Sequence, residues 1–238
     1  MTLSKNIVFV HVPKAGGSSV RSFIARQVNR DDIFPETELH HFPRYERLEP
    51  RAPMLFMSHL GFEFVRAAQA DCFVLMRHPI ERLLSLYSYS QHPGGNVPVI
   101  SPQISSGKTV LEFFNSDHPA IRMNIDNAQT WQIASGYSAR HRELRLKNGA
   151  TMDRISAQAI RNLGEFQVVG TLEDMPGFYR SVAAYFGNHD ADLPDRVQNK
   201  SQKRVLWKEL SEAEKTAIER CVSDEWALYD AARSLSAP

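Results

Sequence analysis

The segment that most constrains this chain runs Ile7-Val8-Phe9-Val10-His11-Val12-Pro13-Lys14-Ala15-Gly16-Gly17-Ser18-Ser19-Val20. An apolar, β-type run ends in Pro-Lys, crosses two glycines and two serines, and continues with Arg21, Phe23, Ile24 and Gln27 at helical spacing. A strand that feeds a helix through such a turn aims backbone N–H groups and a helix N-terminus at one point. That arrangement holds a phosphate or a sulfate. Gly16 and Gly17 allow close backbone approach, Ser18 and Ser19 add hydroxyl donors, and Lys14 adds a full positive charge. The lysine precedes the glycines, and no Gly-Lys-Ser/Thr comes after a four-residue spacer as it does in nucleoside-triphosphate loops. The pattern points to an anion site and away from ATP or GTP hydrolysis.

A second junction has the same form. Cys72-Phe73-Val74-Leu75-Met76 reads as a buried strand running into Arg77-His78-Pro79-Ile80-Glu81-Arg82-Leu83-Leu84-Ser85. Pro79 suits the first helical position, and Leu83, Leu84 and Tyr87 continue at helical spacing. Arg77 at the strand end and Ser85 two turns into the helix can face the same edge of a parallel sheet. Arg82 reads as a helix-surface residue that pairs with a neighbouring acid.

Together the two junctions resemble the phosphoadenosine-phosphosulfate (PAPS) sulfotransferases, in the branch of the heparan-sulfate 2-O and uronyl enzymes and short bacterial members. The resemblance implies that Lys14, Ala15, Gly16, Gly17, Ser18 and Ser19 bind the 5′-phosphosulfate, and that Arg77 and Ser85 bind the 3′-phosphate. Ser58-His59-Leu60-Gly61-Phe62-Glu63 is similar to the family's base-bearing segment, which makes His59 the expected base and Glu63 its alternative. Asn127–Gly136 resembles the family's mid-chain helix, and Val168–Met175 its late strand and turn. Asn199-Lys200-Ser201-Gln202-Lys203-Arg204 is similar to the loop that closes over the nucleotide, with Lys200 and Ser201 the expected contacts. His78 departs from the acidic residue that many members carry there. The activity implied by the resemblance is sulfuryl transfer from PAPS to an acceptor hydroxyl, expected on a carbohydrate, with Lys14 and His59 catalytic and no metal. Two alternatives stand beside it: a small-molecule kinase of P-loop type, and a catalytically inactive nucleotide-binding relative.

Strands alternating with helices predict an α/β fold, a P-loop-NTPase-like parallel sheet flanked by helices, with its ligand at the strands' carboxyl ends. Strands are expected at 7–12, 54–58, 72–76 and 166–170. Helices are expected at 18–28, 61–69, 79–90, 109–115, about 119–135, 152–163 and 175–186. A last helix should start at Ser211, where Glu214 completes a capping box. At 238 residues the expectation is a single domain, 1–238, with a nucleotide-binding core about 6–90 and 165–205. Acceptor-side loops and helices occupy about 30–53 and 91–150, with variable loops at 30–53, 91–107 and 137–150. His40, His41, Phe42, Tyr45, Tyr89 and Trp131 are candidates to line the acceptor, whereas His11, inside the first strand, reads as a packed core histidine.

Composition narrows the partners. A formal charge of +1 gives no global field for nucleic acid, and the basic run Arg140–Lys147 reads as a solvated helix or loop face. No run approaches the roughly 18–20 apolar residues of a membrane helix. The expectation is a cytoplasmic protein without an integral membrane segment, acting on a small-molecule or glycan acceptor. Cys72 and Cys221 have neither metal nor redox spacing and read as reduced structural thiols.

Overall fold

Four apolar segments form one parallel sheet in the computed structural model, which describes residues 3–35, 52–92, 100, 102–136, 138–194 and 204–236. The strands are β1 (Ile7–Val10), β2 (Leu55–Ser58), β3 (Asp71–Met76) and β4 (Val168–Thr171), in the spatial order β2-β1-β3-β4. Strands covered on both faces read as continuous apolar runs, and β1 to β3 are buried along their whole length.

The first helices are α1 (Gly17–Ala25), α2 (Phe62–Ala67), α3 (Pro79–Ser90), α4 (Pro102–Ser105), α5 (Val110–Phe114) and α6 (Pro119–Ile125). Then come α7 (Ala128–Ala134), α8 (Ala139–Lys147), α9 (Met152–Leu163), α10 (Met175–Tyr185), α11 (Glu212–Cys221) and α12 (Trp226–Ser236). Side-chain alternation sends Ile7, Phe9, Leu55 and Phe73 to one face, against Phe23 and Ile24 of α1 and Phe178 and Val182 of α10. Val8, Val10, Phe56 and Val74 go to the other, against Phe64 of α2, Ile133 of α7, Ile155 of α9 and Leu228 of α12. A third cluster joins α3, α5, α6 and α11 through Leu83, Phe113, Ile121 and Ile218.

The register places the chemistry. Val10 pairs with Ser58 on one side and Val74 on the other, so β1 and β2 end level at the carboxyl edge while β3 runs on to Met76. The chain leaves β1 for β2 on one flank and later builds β3 on the opposite flank. Such a switch of direction opens a crevice at the strand ends, and here the crevice lies over β1.

Helices α3 and α9 span the residues expected of them, while other boundaries shifted for physical reasons. β1 ends at Val10 rather than residue 12, because Pro13 has no N–H for the ladder and Lys14 turns the backbone at φ 68. The helix expected at 119–135 is broken into α6 and α7 at Asn127, which adopts the left-handed conformation at φ 44 and ψ 41. The last helix is two, α11 and α12, although the Ser211–Glu214 capping box forms as expected. The segment 91–107, expected as a loop, contains α4, and the basic run Arg140–Lys147, read as a helix or loop face, lies in the helix α8.

Arg82 corrects another expectation. It is buried rather than on the helix surface, with Nη2 3.5 Å from Glu225 Oε1 and Nη1 donating to the Asn124 carbonyl at 3.1 Å. Among the described residues no helix is long and apolar enough to cross a membrane.

Candidate active site at the strand ends

Beyond β1 the backbone enters the left-handed region at Lys14 (φ 68) and Gly16 (φ 82). Gly16 caps α1 with no side-chain hydrogen bond, and the first turn carries no acidic residue. The positive end of the helix dipole therefore meets the turn with no carboxylate against it, which suits an anion. Neither glycine takes a side chain without strain, Gly16 because of its φ of 82 and Gly17 because of its neighbour. A Cβ at Gly16 would lie 2.7 Å from Leu172 Cδ1, and one at Gly17 would lie 2.0 Å from Nε2 and Cδ2 of His11. Gly17→Ala should cost about 1–3 kcal/mol through displacement of that imidazole, read as a lower denaturation midpoint. Ala15 is buried beneath the turn, Ser18 is exposed and Ser19 is buried.

The Lys14 ammonium stands 3.4 Å from the centroid of the Tyr89 ring. Tyr89, a candidate to stack on an acceptor, thus has its ring against the lysine, an attractive cation–π contact. Burial, and then the charge of Arg77, bring the Lys14 pKa down to about 8.

Arg77 leaves the end of β3 and ties the two junctions together: its Nη1 donates to the Lys14 carbonyl at 2.9 Å. Gln129 of α7 fixes its peptide, accepting the Arg77 N–H at 3.2 Å and donating to the Arg77 carbonyl at 3.0 Å. Gln129 is held in turn by Glu225, the carboxylate that faces Arg82. Glu81 lies 3.9 Å from the Arg77 guanidinium but is also bonded by Arg204. Burial first, then Arg204, lower the Arg77 pKa to about 10. Lys14, Arg77 and Arg204 thus crowd one edge, with Arg77 depressing the Lys14 pKa and Arg204 that of Arg77. Such crowding of positive charge is relieved by an anion.

Ser85 is buried on α3, two turns beyond Arg77, and among the described residues its hydroxyl makes no bond to Arg77. His78 takes the end position before the first turn of α3. Its Nδ1 accepts the Glu81 N–H at 3.5 Å, and its ring packs edge-on to Trp226 and Tyr229.

His59 comes directly after β2. Its Nδ1 lies 2.8 Å from the carbonyl oxygen of His11, and a carbonyl can only accept, so Nδ1 carries the proton and the lone pair is on Nε2. The His11 ring stacks on the His59 ring with centroids 4.3 Å apart. Burial, then His59, hold the His11 pKa well below the usual imidazole value. His11 is therefore no strand-interior core residue: it lies past the strand end, between Gly17 and His59. Glu63, in the first turn of α2, pairs outward with Arg145 of α8 at 3.8 Å.

Sequence reasoning placed His11 in the core, named Arg204 only as the end of the nucleotide loop, and gave no role to Gln129 or Gln132. A signal existed for the two glutamines, which recur at i and i+3 within the apolar stretch Ala128–Ala134 and are fully buried. Trp131, a candidate for sugar stacking, is buried in the core with the Arg142 guanidinium 5.5 Å from its ring. Lys200 and Ser201, with Asn199 and Lys203, and the acceptor candidates His40, His41, Phe42 and Tyr45, lie outside the described residues. Both cysteines are free and buried, and burial raises the Cys72 pKa to about 12.

A glycine-containing turn at the switch point of a parallel α/β sheet, flanked by a histidine and an arginine, has the form of a group-transfer site. The family match narrows the reading: residues 1–225 match the model of the sulfotransferase family, and the chain belongs to that family. Its fold is similar to that of the sulfotransferase from Alicyclobacillus acidocaldarius, with a TM-score of 0.51 and 17% sequence identity, covering 98% of each chain. No curated protein matches the chain.

Proposed function

We propose that this sulfotransferase moves a sulfuryl group from PAPS to an acceptor hydroxyl, on a carbohydrate. The observation that carries the reading is the meeting of three groups at one sheet edge: the Lys14 turn, Arg77 bonded to the Lys14 carbonyl, and His59 on the opposite flank.

The reaction needs in-line placement and charge stabilisation more than covalent help. The acceptor oxygen attacks sulfur, and its proton passes to Nε2 of His59. The bond between sulfur and the bridging oxygen breaks, and that oxygen leaves with the electron pair on the 5′-phosphate of 3′-phosphoadenosine 5′-phosphate. The amides from Ala15 to Ser19, with the two serine hydroxyls, hold the 5′-phosphosulfate, and Lys14 meets the charge growing on the bridging oxygen. Arg77 and Ser85 hold the 3′-phosphate, and Lys200 and Ser201 close over the nucleotide. No step requires a metal. In this reading one domain carries the nucleotide on its core, about 6–90 and 165–205, and a small-molecule or glycan acceptor on the rest.

The test separates the two phosphates. A charge-assisted hydrogen bond contributes about 1.5–3 kcal/mol, roughly 10–100-fold in affinity. Arg77→Ala should lose that much more affinity for 3′-phosphoadenosine 5′-phosphate than for AMP by calorimetry, since losing its bond to the Lys14 carbonyl touches both nucleotides alike. Equal losses for both nucleotides would remove Arg77 from the 3′-phosphate. Preference for ATP over both would revive the kinase reading, and turnover of labelled PAPS with a glycan panel identifies the acceptor.

A further inference from the structure

We infer that Gln132 is a positioning residue that locks His59 in the tautomer a general base requires. The inference rests on the reading of His59 as base and deepens it. Gln132 is fully buried on α7. Its Nε2 donates to two backbone carbonyls, that of His11 at 3.1 Å and that of Leu60 at 2.8 Å. An amide oxygen in that place would face two carbonyl oxygens, so the orientation of the amide is dictated by its partners.

The two carbonyls are not arbitrary. The His11 oxygen is the one that receives the His59 Nδ1–H, at 2.8 Å. A carbonyl has two lone pairs, and here one serves Gln132 and the other His59. Leu60 is the residue after His59. One NH2 group therefore pins both the acceptor of the imidazole and the backbone one residue beyond it. The His11 ring, packed against Gly17, lies along the face of His59 and limits its rotation.

The cost of the arrangement argues for a role beyond packing. Gln132 leaves its own Oε1 buried with no hydrogen-bond partner among the described residues. An apolar side chain in that helix position would carry no such penalty. The amide is retained at the position where its donors reach His11 and Leu60. With Nδ1–H fixed, the lone pair is held on Nε2, and a neutral imidazole flipped to the other tautomer would present a proton where the base needs a lone pair.

The experiment reads the tautomer directly. Protein labelled with ¹⁵N-histidine, with His59 assigned by loss of its signals in His59→Ala, is observed at about pH 8, above the ordinary imidazole range. Long-range ¹H–¹⁵N spectra distinguish Nδ1–H from Nε2–H. The expected result is the Nδ1–H form alone in the wild type, and an admixture of Nε2–H in Gln132→Leu and in the more adaptable Gln132→Met. In both variants kcat should fall about 10-fold or more, with affinity for 3′-phosphoadenosine 5′-phosphate unchanged. An Nε2–H form in the wild type overturns the inference. So does an unchanged tautomer in both variants, whatever happens to kcat. The base reading fails separately, if His59→Ala turns over normally while the spectra behave as expected.

Discussion

His59→Ala is expected to lower kcat by about 10²–10⁴-fold, the usual contribution of a general base, while binding 3′-phosphoadenosine 5′-phosphate as the wild type does. The expectation comes from the hydrogen bond that fixes its ring. With Nδ1–H committed to the His11 carbonyl at 2.8 Å, proton acceptance falls to Nε2. A base works only when unprotonated, so the wild-type rate should fall as pH drops through the imidazole range, about 6.5 for an unperturbed histidine. The variant should lose that acid limb as well as most of the rate. His11, stacked on the same ring, does not mimic the limb, because burial holds its own pKa well below the usual value. Glu63→Gln is the control: its carboxylate is paired with Arg145, and its loss should leave turnover nearly intact. A His59→Ala enzyme with a near-normal rate and an intact acid limb would transfer the role to Glu63.

Local chemistry made the site's outline legible in the sequence alone. Gly16 and Gly17 announced a turn that approaches something closely, and Gly16 proves to hold a φ of 82 while Gly17 has no room for a Cβ beside His11. Pro79 marked the first residue of α3, and the capping pair Ser211 and Glu214 marked the start of α11. Parallel strands with their carboxyl ends at one edge then bring Lys14, His59 and Arg77 there, a consequence of topology that alternating strands and helices already implied. What stayed hidden depends on partners far away in the chain. Arg82 looked like a surface arginine because Glu225, which buries with it, lies 143 residues on. Asn127 breaks a helix through a left-handed conformation that its neighbours do not signal. Gln129 and Gln132 are ordinary helix formers by propensity, and only their carbonyl partners at Arg77, His11 and Leu60 reveal why amides occupy an apolar stretch.

Lys14→Met should reduce kcat by about 10²–10³-fold, the scale seen when a single group that stabilises developing negative charge is removed. Its effect on binding of the product nucleotide should be smaller, since the charge is needed most where the bridging oxygen gains electrons in the transition state. The lysine's environment adds a pH signature. Burial first, and then Arg77, lower its pKa to about 8, because both disfavour the ammonium form. In the free enzyme the charge is thus present below about pH 8 and lost above it, so kcat/KM for the donor should decline on the alkaline side of that value. Bound phosphosulfate favours the ammonium, so the corresponding limb in kcat should lie at higher pH. Lys14→Arg supplies the discriminating comparison. A guanidinium keeps its charge through this range and can still stand over the Tyr89 ring, so the alkaline limb of kcat/KM should disappear. The fork cannot place its charge as a point on one oxygen, so kcat should recover only in part. Rate profiles of the three enzymes across the neutral and alkaline range measure both effects. Unaltered turnover in Lys14→Met, or an alkaline limb that persists in Lys14→Arg, would show that the ammonium is not the group that meets the leaving oxygen.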